Sequence, residues 1–484
     1  MSIRKSIAFS FVSKYLLILI QLVSAMVLSR LLTPVDFGIY SVAYALVNIG
    51  HVFRDFGVCN YINQEKELTN DKIKSAMSLT LFFAWTMSAV LYFGAEYAAA
   101  FYHEAGVKNV FQVLALNFLL IPFSSVLRSY ARRELRFKFL MILEVAGSVV
   151  TTSTVIALAY MNYSYMSMAW SSVVGVIFDT FLLNVFRPKG FPVLPGFKEI
   201  KNILNFGVIS FFETLLSQSA LYFPDLLIGK FLNMHAVGIL SRAEGTAGIF
   251  ERLVNQGIAP VMLPYFAKEN REGFDIKPTY LYATKCLVVL AWPAFAFIAI
   301  MAEPITNVLY GSQWGDSVLL LQIICFSGAT SRLIGFAHPA LLSHGHVKEL
   351  LRVQVILMPT HLFVMIFTIG NGLVYMIATV SIGLSILKVL IVTKILNHRL
   401  GIRLRDTVGI ISACFMPTLA CSAAVILIQH NLKTSDLYNL IISSVVFGLV
   451  FLLSIFVFNH PIKKEIVNAF GSIFLSGRRF VMKK

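Results

Sequence analysis

Fourteen separate stretches of this 484-residue chain are apolar over about the 20 residues that a helix needs to cross the hydrocarbon of a bilayer. They lie near 7–31, 37–62, 75–99, 110–130, 140–161, 165–187, 202–228, 236–260, 280–303, 317–342, 352–370, 374–396, 408–428 and 438–458. Short loops separate them, so the chain has no stretch from which to build a soluble core. Composition agrees: 57% of residues are hydrophobic and 13% charged, where a soluble globular protein carries roughly 25% charged residues. The expected fold class is an all-α polytopic membrane protein with about 14 transmembrane helices. The opening MSIRKSIAFS runs on into apolar sequence as far as Leu32 without a small-x-small cleavage pattern. It reads as a retained first helix rather than a signal peptide.

The formal net charge is +16, and its placement assigns it to a membrane rather than to nucleic acid. Alternate loops hold 28 cations, among them Arg132, Arg133, Arg136 and Lys138, while the intervening loops hold only Lys108, Lys230 and Lys433. By the positive-inside rule both termini then lie in the cytoplasm, as an even number of spans requires. The five cysteines show no CxxC spacing, so neither a disulfide framework nor a zinc site is expected. No cofactor is expected.

A shift of 200 residues lays RLLTPVDFGIYS (30–41) over KFLNMHAVGILS (230–241) without a gap, pairing Leu32 with Leu232, Gly38 with Gly238 and Ser41 with Ser241. The order of spans repeats too. The expected organisation is an N-terminal six-helix bundle over 1–195 and a second over 196–398, joined through the Pro/Gly-rich RPKGFPVLPGFKEIK. Two added helices follow over 399–460, then a basic tail over 461–484 that suits an interfacial helix against anionic lipid. Six spans per repeat make the repeats parallel, and paired bundles of that kind enclose a substrate cleft.

Charges inside the spans are costly, about 2.5–3.5 kcal/mol each at mid-helix, and mark wet cavities or partnered sites. At 100° per residue Tyr44, Asn48, His51, Arg54 and Asp55 share one face of the second span. On the eighth span, Glu244, Gly245, Gly248, Glu251, Arg252, Asn255 and Gln256 form a polar stripe opposite an apolar face. Arg242 falls off that stripe, near the outer end, where its side chain reaches the interface. At 1.5 Å per residue Arg54, Arg252, Arg332 and Lys388 lie roughly 20–25 Å from the outer ends of their helices, and Lys14 roughly 10 Å from the inner end of its own. Five cations at one depth predict a positive cavity open to the cytoplasm, and arginine's fork suits phosphate. The plainer reading is that the positive-inside bias runs on into helix ends. Glu213, Asp225 and Glu251 are candidate ion-coupling acids, or else counter-ions to the arginines.

SRLLTPVDFGIYSVAYALVNIGHVFRDFGV (29–58) resembles the opening signature of the polysaccharide-transporter family, the Wzx-type flippases of the multidrug/oligosaccharidyl-lipid/polysaccharide exporter superfamily. The matching positions are Arg30, Leu32, Pro34, Asp36, Phe37, Gly38, Tyr40, Phe56 and Gly57, and SSVLRSYARRELRFK (124–138) resembles the family's loop after span four. The nearest branch is that of colanic-acid and exopolysaccharide exporters. The resemblance implies a V-shaped pair of bundles working by alternating access in a bacterial inner membrane. Its implied cargo is an undecaprenyl-pyrophosphate-linked oligosaccharide moved from the inner to the outer leaflet, as in exopolysaccharide or lipopolysaccharide synthesis. A polymerase and a chain-length regulator are the implied protein partners. Some members of the superfamily bind sodium through spans seven, eleven and twelve. Here Asp225 is on span seven, but spans eleven and twelve carry no acid, which argues against that site.

Two other function classes compete. A multidrug or cation antiporter of the same superfamily would favour an acidic or aromatic cavity. A membrane glycosyltransferase, polymerase or ligase generally needs a large outer loop with catalytic residues, but 100–109, 304–316 and 429–437 are short. The expected protein is a transporter and not an enzyme.

Overall fold

The computed structural model describes residues 3–192, 194–252, 256–431, 435–465 and 467, with the side chains of 3–12, 206, 209, 210, 213, 220 and 256–260 excepted. Each expected span coincides with a helix or a short group of helices, and the chain is an all-α polytopic membrane protein. Among the described residues, 11 helices are long and apolar enough to cross a membrane, and a pair bent by 56° adds a twelfth. Expected spans seven and eight correspond to a helix at Ile200–Phe231 and one at Met234–Phe250, with part of the latter's C-terminal continuation outside the described residues. The expected interfacial helix of the tail falls largely outside them too. The contacts divide the chain into two compact units, Met1–Ser241 and Arg242–Lys484.

The first unit holds α1 (Ile3–Leu31), α2 (Pro34–Asp55), α3 (Val58–Gln64), α4 (Asn70–Tyr102), α5 (Ala105–Leu120), α6 (Pro122–Arg133), α7 (Phe137–Tyr160), α8 (Met166–Val185), α9 (Ile200–Phe231) and the start of α10 (Met234–Phe250). The Thr-Pro-Val-Asp of the signature is a helix start. Thr33 caps α2, its hydroxyl accepting from the Asp36 amide at 3.2 Å, while the Asp36 carboxylate takes the Thr33 amide at 2.8 Å and Pro34 supplies the first turn. Asp36 also accepts from the Ser164 hydroxyl, which ties the start of α2 to the α7–α8 turn. Two hundred residues on, Asn233 plays the same part for α10, its side-chain oxygen accepting from the Ala236 amide at 2.8 Å.

Each of the paired glycines of the repeat meets the start of the other's helix. An ideal Cβ on Gly38 would stand 1.8 Å from the Met234 carbonyl oxygen, and one on Gly238 would stand 1.9 Å from that of Pro34. Pro34 and Met234 are themselves 200 residues apart, so the contact is reciprocal, and only glycine permits the two backbones to approach so closely. All four residues belong to the first unit.

The Phe-Gly that ends the signature breaks α2 from α3. Phe56 (φ 36°) and Gly57 (φ 74°) are both left-handed. The conformation costs Phe56 about 1–2 kcal/mol. Stacking of its ring on Phe83 and Phe211, at centroid distances of 4.9 and 5.1 Å, opposes that cost. Arg133 seals the next break. Its guanidinium donates to the carbonyls of Ile62 (2.8 Å), Glu65 and Lys66 (3.2 Å), satisfying acceptors that the short α3 leaves open. The Pro/Gly-rich linker is laced to α4 through Gly196 N to Lys74 O (3.1 Å), Ser78 Oγ to Gly196 O (2.6 Å) and Glu199 N to Ser75 Oγ (3.0 Å).

The second unit contains the remainder of α10 and then α11 (Gln256–Arg271), α12 (Ile276–Ile300), α13 (Ala302–Leu309), α14 (Ser317–Ser331), α15 (Ala337–Ser343), α16 (Val347–Thr368), α17 (Leu373–Ala378), α18 (Leu384–Leu400), α19 (Leu404–Asn431) and α20 (Asp436–Val457). α12 packs on α14 and α19, and α19 on α20. Helix ends are tied by ion pairs: Lys277 with Asp406 at 2.7 Å, and Glu349 with both Arg352 (2.7 Å) and Arg399.

Candidate functional site

The polar face of α2 lines a cavity of about 610 Å³ inside the first unit, within the size range of small-molecule sites, about 300–1,000 Å³. α2 and the turn after it contribute Asn48, His51, Arg54 and Asp55, α8 contributes Asp179, and α9 contributes Thr214, Gln218 and Tyr222. The decisive wall is α6, which brings Ser124, Ser125, Arg128, Ser129 and Arg132. Read as one straight span, 110–130 conceals this face. The chain instead bends by 56° between α5 and α6, where Pro122 takes the first position of the new helix. Positions 124, 125, 128, 129 and 132 are the i, i+1, i+4, i+5, i+8 stripe of an amphipathic helix. Breaking the helix at the proline was the signal available in the sequence for Arg128 and Arg132.

Two of the three arginines are already matched by acids. Arg54 is buried and its Nη2 donates to Asp55 Oδ1 at 2.7 Å, with Nε at 3.2 Å. The Phe56–Gly57 break follows at once, so the pair sits on the last turn of α2. Arg128 Nη2 donates to Asp179 on α8, and its Nη1 lies 3.9 Å from Glu144 Oε1 on α7. Arg132 is exposed and makes no ion pair among the described residues. His51 stacks on Phe118 at 4.4 Å, and its Nδ1 has no hydrogen-bond partner among the described residues. Asn48 donates to the Tyr44 carbonyl at 2.8 Å, keeping its amide oxygen for another donor.

This lining has a definite chemical capacity. Guanidinium forks bind phosphate oxygens in parallel pairs. Hydroxyls and amides from α2, α6 and α9 offer the mixed donors and acceptors that sugar hydroxyls require. Arg132 offers an anion an uncompensated charge. To reach Arg54 or Arg128 the anion must compete with Asp55 or Asp179.

The other cations expected from the sequence lie elsewhere. Lys14 is half-buried on α1 and does not line this cavity. Arg252, Arg332 and Lys388 belong to the second unit. There Arg332 Nη1 pairs with Glu251 Oε2 at 2.7 Å, and Lys388 is exposed on α18. Arg252 turns back on its own helix, its Nη2 donating to the Gly245 carbonyl at 2.7 Å. The expected stripe of α10 is open at Glu244, which is exposed, and at Gly245, where a Cβ would meet nothing within 4 Å. Thr246, Ala247 and Phe250, on the other side, are buried. Arg242 lies against the connection 304–316 of its own unit. Its guanidinium carbon lies 5.7 and 5.8 Å from the ring centroids of Tyr310 and Trp314, and Tyr310 hydroxyl meets Thr246 at 2.9 Å. Cation–π attraction to the two rings contributes to that placement. Of the candidate coupling acids, Glu251 is the partner of Arg332, Asp225 is half-buried on α9, and the Glu213 side chain lies outside the described residues.

Comparison with known proteins supplies the context. The profile of a family described as polysaccharide biosynthesis protein matches residues 27–319. The teichuronic acid biosynthesis protein TuaB of Bacillus subtilis (strain 168) is 20% identical over 340 residues, covering 69% of this chain and 70% of its own length. The lipopolysaccharide biosynthesis protein WzxC of Escherichia coli (strain K12) is 21% identical over 397 residues, 80% of this chain and 78% of its own. The solved structure of the lipid II flippase MurJ in an inward closed conformation superimposes with a TM-score of 0.76 at 15% identity, over 96% of this chain and 100% of that one.

Proposed function

Because the chain belongs to the polysaccharide biosynthesis protein family, we propose that it is a lipid-linked oligosaccharide flippase, moving undecaprenyl-pyrophosphate-linked repeat units from the inner to the outer leaflet of a bacterial inner membrane. The observation that carries this reading is the arginine-lined polar cavity inside an otherwise apolar helical unit. Arg132 attracts the pyrophosphate, and Arg54 and Arg128 exchange their carboxylate partners for phosphate oxygens. The hydroxyls and amides of α6 and α9 hold the sugars, while the polyprenyl tail stays in lipid. A cationic drug would meet three arginines against two acids already paired with them, which disfavours the antiporter reading.

In this reading the repeats 1–195 and 196–398 work by alternating access, with 399–460 as appended helices and 461–484 as a cytoplasmic tail. Lys14 in the first unit, and Arg252, Arg332 and Lys388 in the second, are further candidate cations for the load. Asp225 and Glu213 are candidates for ion coupling, whereas Glu251 serves as the counter-ion of Arg332. A polymerase and a chain-length regulator take the exported unit.

The test uses host cells lacking this gene and any redundant flippase, complemented with wild type or Arg54→Ala. The deletion lowers surface polymer and leaves lipid-linked oligosaccharide at the inner face; wild type restores export and Arg54→Ala, present at equal level, does not. Unchanged polymer and glycolipid in the deletion strain reject the flippase reading.

A further inference from the structure

A second concavity lies at the turn between α6 and α7. It is an open groove of about 450 Å³ lined by Leu135, Arg136, Lys138, Phe139, Ile142 and Phe186. The turn is held by the backbone. Glu134 N donates to Tyr130 O (2.9 Å), Leu135 N to Arg132 O (3.0 Å) and Arg136 N to Ala131 O (3.0 Å). The closure places Leu135 at φ 53°, a left-handed conformation unfavourable to a branched side chain, and leaves it 70% exposed. Phe139 and Phe186 form the floor as an edge-to-face pair 5.7 Å apart.

Arg136 and Lys138 are exposed, make no ion pair among the described residues, and no carboxylate lines the groove. Two uncompensated cations thus stand over an apolar trough. That trough sits at the start of α7, a helix long and apolar enough to span the membrane, on the side whose loops carry the excess of Lys and Arg.

We propose that this groove is a binding site for an anionic glycerophospholipid of the same leaflet. The headgroup phosphate lies between Arg136 and Lys138, and the first methylenes of an acyl chain lie along Phe139, Ile142 and Phe186. The charge complementarity selects an anion. The apolar walls select one that carries a hydrocarbon chain, which a free phosphate lacks. Basic pockets between helices at the inner face of a membrane recognise lipid headgroups in this way. The site is separate from the cavity at Arg54 and Arg128 and does not depend on the flippase reading.

Native mass spectrometry of the delipidated full-length protein tests it, with titration by dioleoylphosphatidylglycerol, dioleoylphosphatidylethanolamine, inorganic phosphate or undecaprenyl pyrophosphate. Wild type retains one phosphatidylglycerol in preference to phosphatidylethanolamine, and inorganic phosphate does not displace it. Arg136→Gln/Lys138→Gln weakens that first binding step about 30-fold. Lys348→Gln/Lys394→Gln, which removes the same charge from exposed positions outside the groove, leaves it unchanged. Melting temperatures within a degree of wild type exclude misfolding of these surface variants. Equal retention of phosphatidylglycerol by the Arg136/Lys138 variant, or equal affinity for phosphatidylethanolamine, overturns the proposal. So does displacement of phosphatidylglycerol by equimolar undecaprenyl pyrophosphate, which assigns the groove to the transported lipid instead.

Discussion

Arg128→Ala is the most informative single substitution, because Arg128 joins three helices and faces the cavity. In the wild type its guanidinium stands between Asp179 and Glu144, with the side chains of Arg128, Asp179 and Glu144 23%, 32% and 44% exposed. Removing it leaves two carboxylates on neighbouring helices without their shared cation. A fully buried pair broken in this way costs about 3–5 kcal/mol, and an exposed one about 0–1 kcal/mol. The intermediate exposure puts the loss of stability at about 1–3 kcal/mol. The same arginine, if it binds phosphate, contributes charge-assisted hydrogen bonds of about 1.5–3 kcal/mol each. Transport then falls about 100-fold, the equivalent of about 3 kcal/mol. The double substitution Arg128→Ala/Asp179→Ala separates the two effects. It removes, along with the cation, the nearer and more buried of the two orphaned acids, so the melting temperature of the detergent-purified protein recovers most of its loss. Export stays low, because the phosphate ligand is still missing. The assay pairs melting curves with surface polymer and inner-face lipid-linked oligosaccharide in complemented cells. Recovery of export in the double variant would refute the reasoning, since Arg128 would then serve only to neutralise Asp179. Wild-type export by Arg128→Ala at normal protein level would refute it as well.

Two further outcomes follow from the first unit and its edges. Gly38→Ala brings a Cβ within 1.8 Å of the Met234 carbonyl oxygen, about 1.5 Å short of a tolerable carbon–oxygen contact. α2 and α10 must part, and the melting temperature falls by several degrees, in keeping with overpacking costs of about 1–3 kcal/mol or more; Gly245→Ala, which meets nothing within 4 Å, is neutral or slightly stabilising. Lys72, hydrogen-bonded to Glu65 at 3.0 Å, holds that carboxyl below its ordinary value. A depressed folded value stabilises above the unfolded value of about 4.3, and the contribution is lost as pH falls through the folded value. The gap in melting temperature between wild type and Glu65→Gln is therefore full at neutral pH and closes in acid; a gap independent of pH contradicts the ion pair.

The local parts of this protein were legible in its sequence, because each depends on residues close together along the chain. Apolar length identified the spans. The helical period placed Asn48, His51, Arg54 and Asp55 on one face, and the cavity in the first unit is lined by all four. The 200-residue register paired Gly38 with Gly238, and Arg54 beside Asp55 was readable as a pair of neighbours. Tertiary structure decided whatever depends on distant segments. Arg128 and Asp179 are 51 residues apart, and only the packing of α6 on α8 brings them together. A cation's depth along its own helix says nothing about which neighbour faces it. Arg332 thus found Glu251, Arg252 turned back to Gly245, and Arg242 settled on Tyr310 and Trp314. The sequence determined which charges fall inside the apolar stretches, because each such charge is costly by itself. Folding decided which of those charges are neutralised and which remain to meet a ligand, because that depends on distances between helices.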